Sequence, residues 1–137
     1  MPNLFIESQG RVVVLVHNGL PYSPEEWQSI LALTARADLG ELRVVVHDEE
    51  GGAITTAQRR ELLDTMGGRM PMAAVLTSGR IARGIVTAIA WFKPSIKAFA
   101  PEQMDKALGY LGLTEREVAF VTRMVPRLRD QLTRKAG

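Results

Sequence analysis

The feature that most constrains this chain is the run Arg11 to His17, RVVVLVH. It is short, continuous and almost wholly β-branched. Such a run fits a strand buried on both faces better than it fits a helix. Leu42 to Val46 with His47 repeats the pattern, and Met72 to Leu76 gives it a third time. Helical signals separate these runs. Ser23-Pro24-Glu25-Glu26 combines a capping residue, a proline suited to the first helical position and the glutamate of a capping box. Trp27, Ile30 and Leu31 follow at helical spacing. Thr55 and Gln58 stand at the capping-box offset before Leu62, Leu63 and Met66. Strands alternating with helices define an α/β domain with a mostly parallel central sheet, here of four to five strands. Its crossovers are expected to be right-handed, with helices covering both faces of the sheet.

Leu4-Phe5-Ile6 reads as an opening edge strand, turned by Gln9-Gly10. Gly40 is the expected stop of the first helix, and Gly67-Gly68 of the second. Asp48-Glu49-Glu50-Gly51-Gly52 is an acidic loop. Thr77-Ser78-Gly79 turns into an apolar helix over Arg80 to Phe92, broken by Pro94, and Ile96 to Phe99 forms a last short strand. Met104, Ala107, Leu108 and Leu111 fix another helix, opened by Pro101 and stopped by Gly112. Thr114 and Glu117 form a further capping box. The helix that follows runs toward Lys135, with Pro126 expected to kink or break it. Residues 1–113 are therefore read as one α/β domain. Residues 114–137 form a basic amphipathic extension packed on that domain or on a partner.

Cysteine is absent, which excludes disulfides and thiolate metal sites, and only His17 and His47 remain as imidazoles. No metal or cofactor is expected. No apolar run approaches the roughly 18 residues of a membrane span, and MPNLFIESQGR lacks the pattern of a signal peptide. Cytoplasmic residence without membrane insertion is the expectation. The net charge of +2 is too small to suggest nucleic acid. From Thr114 onward six Lys/Arg face three Asp/Glu, so the positive charge gathers at the C-terminal end.

In a parallel sheet, ligands meet the loops that leave the carboxyl ends of the strands. Here these are His17-Asn18-Gly19, His47 to Gly52, and Thr77 to Arg80. Ser78 and Gly79 open a helix whose N–H groups favour an anion, and Arg80 and Arg83 lie one turn apart as a clamp for phosphate or carboxylate. A small anionic ligand or lipid is thus one reading of this surface. Asp48 and Glu49 supply acidic recognition groups. Thr55 and Thr56 are candidate phosphoacceptors at a helix start, where added phosphate is physically acceptable. Trp91 and Phe92 close the apolar helix with exposable aromatic surface. Val118, Val121, Val125, Leu128 and Leu132 form a seam for a sheet face, a second helix or a homodimer. Arg116, Arg123, Arg127, Arg129 and Arg134 around it also suit peripheral contact with an anionic membrane. No nucleophile–base pair, P-loop or GxGxxG occurs, so no enzyme is expected.

The stretch AVLTSGRIARGIVTAIAWFKPSIKAFAPEQMDKALGYLGL resembles the third strand, third helix, last strand and last helix of STAS-like domains, relatives of the sporulation anti-sigma-factor antagonist. Val75-Leu76 followed by Thr77-Ser78-Gly79-Arg80, the helix ending Trp91-Phe92, and Ile96 to Phe99 leading into Glu102 to Leu111 carry the likeness. The resemblance implies a non-enzymatic regulatory module that binds a protein partner. Some members are switched by phosphorylation in an Asp-Ser-like motif after the second long strand. This chain has Val46-His47-Asp48-Glu49 there, with Thr55 and Thr56 as the remaining hydroxyls.

Overall fold

The computed structural model describes residues 2–48, 54–79 and 95–136. The order of elements is β1 (Leu4–Gln9), β2 (Val12–His17), α1 (Pro24–Thr34), β3 (Arg43–Asp48), α2 (Thr56–Met66), β4 (Met72–Thr77), β5 (Ile96–Phe99), α3 (Met104–Leu111) and α4 (Glu115–Ala136). Short 3-10 turns at Leu39–Glu41 and Pro101–Gln103 precede β3 and α3. The five strands form one sheet in the order β1-β2-β3-β4-β5. β1 pairs antiparallel with β2, and β2, β3, β4 and β5 run parallel. The expected Leu4-Phe5-Ile6 strand continues to Gln9. The two-residue hairpin Gly10-Arg11 returns it, with Gly10 at φ +59°. Positive φ at the first turn position is where glycine is needed.

Alternation along the buried strands sends side chains to opposite faces. Val13, Leu15, Val44 and Ala73 meet Trp27 and Ile30 of α1 and Met66 of α2 on one side. Val12, Val14, Val16, Val45, Ala74 and Leu76 meet Ala107, Leu108 and Leu111 of α3 on the other. That second face is completed by Phe120, Val121, Val125, Leu128 and Leu132 of α4. The seam read from the sequence thus lies on the sheet.

Two expectations about helix ends are corrected. α1 stops at Thr34, with Ala35 as its C-cap, rather than at Gly40. Trp27, Ile30 and Thr34 exhaust its buried stripe. The chain must then bring Leu39 and Leu42, each 1% exposed, back into the core. The end is held from outside: Arg69, beyond α2, donates to Arg36 O at 2.6 Å, to Thr34 O at 3.5 Å and to Met66 O at 3.1 Å. One guanidinium therefore serves the last carbonyls of two helices. Arg69→Ala is expected to cost about 1–2 kcal/mol in urea unfolding. Arg69→Lys should recover little, because a single ammonium does not reproduce the fork.

The second correction concerns Pro126, which does not break α4; the helix runs through it for 22 residues. Pro126 and Thr122, whose carbonyl loses its partner, both lie on the exposed side. The freed carbonyl is open to solvent there, while the Val121-Val125-Leu128-Leu132 stripe keeps both halves on the sheet. The start of α4 is doubly tied. Thr114 and Glu117 form the expected capping box. The same Glu117 carboxylate accepts from Arg11 Nε at 2.8 Å and Nη2 at 3.0 Å, which docks α4 on the β1–β2 turn.

Candidate functional site

β2, β3 and β4 are neighbours and parallel, so their carboxyl ends form one surface. Register places His17 beside Asp48, and Asp48 beside Thr77. All three point to the α1/α2 side of the sheet, forming a polar row across three strands. His47 falls one residue out of step. It is buried between Val16 and Leu76 on the opposite side. The two histidines therefore do not converge, because adjacent strand positions face opposite ways.

Two members of the row, His17 and Thr77, hold the loops that leave it. His17 is 1% exposed. Its Nε2 lies 2.6 Å from Leu20 O, and a carbonyl can only accept, so Nε2 carries the proton. Nδ1 accepts Gly19 N–H at 3.3 Å and sits 3.4 Å from Asp48 Oδ2. The Tyr22 ring stacks on the imidazole, with centroids 4.2 Å apart. Burial pushes the Tyr22 phenol above its ordinary range, and the carboxylates of Asp48 and Glu26 push the same way. It stays protonated at any physiological pH. Thr77, fully buried, accepts Gly79 N–H on its hydroxyl at 3.1 Å. Asn18 accepts Leu20 N–H at 3.0 Å and donates to the Asn3 side chain at 2.9 Å.

The outcome is a pinned β2–α1 loop that presents Leu20, 56% exposed, at the carboxyl edge. Thr55 and Thr56 are exposed at the start of α2. Thr55 caps that helix, accepting Gln58 N–H at 3.0 Å while Gln58 accepts Thr55 N–H at 3.1 Å. Asp48 is half-buried at the end of β3, and Ser78 is exposed after β4. Gly79 N–H, one of the donors considered for an anion, is already taken by Thr77. Glu49, Arg80, Arg83, Trp91 and Phe92 lie outside the described residues, as does the helix expected over Arg80 to Phe92.

Tyr22 and Glu26 were missed as site residues, although the sequence carried a signal for both. Tyr22 directly precedes the Ser23 cap, and Trp27 stands at the fourth helical position, the spacing of a hydrophobic staple. The two rings do meet, 5.9 Å apart. Glu26 closes the capping box on Ser23 N–H at 2.9 Å. It also accepts Asn3 N–H at 2.7 Å and Leu4 N–H at 2.9 Å, a long-range tie that no local pattern announces.

Compared with protein-family models, curated proteins and solved structures, the chain finds no match in any of the three. Among the described residues no helix is long and apolar enough to cross a membrane.

Proposed function

We propose that this chain is a cytoplasmic, STAS-like regulatory or scaffolding module that binds a protein partner and performs no catalysis. One observation carries the reading. In the polar row, His17 and Thr77 are engaged in fixing the loops that follow them, and the loop fixed by His17 holds an apolar side chain, Leu20, out into solvent. A rigid loop loses little entropy on docking, so an exposed leucine on it makes an efficient anchor. The adjoining Thr55 helix start gives the same surface a hydroxyl whose phosphorylation would change its charge.

The test is affinity capture from the native cell with the full chain, followed by titration of the recovered partner. Leu20→Asp is expected to weaken binding at least tenfold, about 1.4 kcal/mol. Leu63→Asp, at the other exposed large apolar position among the described residues, should leave it unchanged. Equal binding by wild type and Leu20→Asp would remove the carboxyl-end surface from consideration. Intact-mass analysis of the captured chain shows whether Thr55 or Thr56 carries phosphate.

A further inference from the structure

The two edges of the sheet are built differently. β5 is four residues long and carries Lys97, whose ammonium lies over the Phe99 and Tyr110 rings at 5.6 and 5.7 Å. A short edge with a lysine is protected from pairing. β1 is six residues long, LFIESQ, with neither Lys nor Pro. Among the described residues no strand pairs with its outer side. Asn18 N–H donates to Asn3 O, which makes Asn3 and Asn18 a hydrogen-bonded pair of the β1–β2 ladder. By alternation Phe5, Glu7 and Gln9 also pair inward, and Leu4, Ile6 and Ser8 direct their N–H and C=O groups outward. Glu26 takes Leu4 N–H. Among the described residues, the Ile6 and Ser8 groups and Leu4 O remain for another strand.

Beside this edge runs an open groove of about 560 Å³ between β1 and α1. Leu4, Ile6 and Val13 form its floor, and Ser29, Ala32 and Leu33 its wall. α1 starts over Leu4, where Glu26 reaches its amide, and runs alongside β1 in the same direction. Its first turn is acidic, with Glu25 and Glu26, and Arg36 follows its last turn. Arg36 engages Asp38 through Nε and Nη2, which among the described residues leaves Nη1 for a second carboxylate.

We propose that this edge and groove are the interface of a homodimer, in which β1 pairs antiparallel with β1 of a second copy about a two-fold axis at Ile6. Ile6 then exchanges N–H and C=O with its copy, and Ser8 N–H of each chain donates to Leu4 O of the other. Glu7 falls opposite Phe5 of the second copy rather than opposite its own like charge. The same rotation lays the two α1 helices antiparallel over the joined strands. The Glu25 end of each then meets the Arg36 end of the other, where Arg36 Nη1 can take a second carboxylate beside Asp38. The small side chains Ser29 and Ala32 allow the helices to approach and close the groove. The interface leaves the carboxyl ends of β2, β3 and β4 open, so it stands apart from the partner surface proposed above.

Sedimentation velocity of the full chain from 1 to several hundred µM (roughly the range over which modest interfaces titrate) is expected to show a monomer–dimer equilibrium. Ser8→Pro removes an outward N–H and no internal ladder bond, a change an edge strand tolerates. It should weaken the dimer at least tenfold while circular dichroism stays native. Arg36→Glu should weaken it likewise, and Glu25→Arg combined with Arg36→Glu should restore it. Amide exchange gives a readout that needs no variant: the Ile6 and Ser8 amides should gain protection as concentration rises. A monomer throughout, fast Ile6 and Ser8 exchange at high concentration, or a dimer undiminished in folded Ser8→Pro overturns the proposal.

Discussion

Leu128→Ala is expected to lower stability by about 3 kcal/mol, within the 2–5 kcal/mol range of buried leucine truncations. For a domain of this size that is a fall of roughly 10 °C in Tm. Leu128 is 2% exposed and packs in the cluster that includes Val12, Val14, Val16 and Val45 of the sheet. The result discriminates between two uses of the amphipathic helix. An arm that docks on another molecule would lose binding on truncation and keep the stability of the isolated domain. A helix that completes the core loses the domain. Leu63→Ala, at a position 44% exposed on α2, is the control and should stay within about 0.5 kcal/mol of wild type.

Glu26→Ala is expected to cost about 2–3 kcal/mol, because one carboxylate serves three backbone donors: Ser23, Asn3 and Leu4. Its loss uncaps α1 and frees the start of β1 together. Exchange of the Asn3 and Leu4 amides should accelerate well beyond the global effect. The site also sets a pH dependence. Burial pushes the Glu26 carboxyl up, but the hydrogen bonds from Ser23, Asn3 and Leu4 outweigh it and hold the group below its ordinary value. The Arg11 side chain, with Thr114 N–H, holds Glu117 lower still, at about 2 against an ordinary 4.5. Both folded-state values lie below the unfolded ones. The stabilisation they give is therefore complete above about pH 4.5 and disappears as pH falls toward 2. Urea midpoints measured from pH 7 to pH 2 should drop across that window. The Glu26→Gln, Glu117→Gln pair should flatten the drop; an equally steep loss in the double variant would assign acid lability to other carboxylates.

Much of the architecture was legible locally. The Ser23–Glu26, Thr55–Gln58 and Thr114–Glu117 boxes open α1, α2 and α4 where their spacing placed them. Gly67 and Gly112, at φ +61° and +64°, end α2 and α3 as left-handed caps. The continuous apolar runs became central strands, since both their faces are covered. Less of the candidate site was legible. The loops were identified as a shared surface, but His17 and His47 looked equivalent in sequence. Only the register, which sets His17 beside Asp48 and buries His47 one step away on the other face, separated them.

What the sequence determined by itself was the set of elements and most of their ends, because caps, turn glycines and hydrophobic period act over a few residues. The tertiary structure decided where α1 stops, that α4 runs through Pro126, and which polar groups meet. Arg69 reaches Thr34 and Arg36, Glu26 reaches Asn3 and Leu4, and Glu117 reaches Arg11 across 106 positions of chain. A charged side chain satisfies whichever backbone or side-chain partner the packed core leaves within about 3 Å, and that choice has no local code.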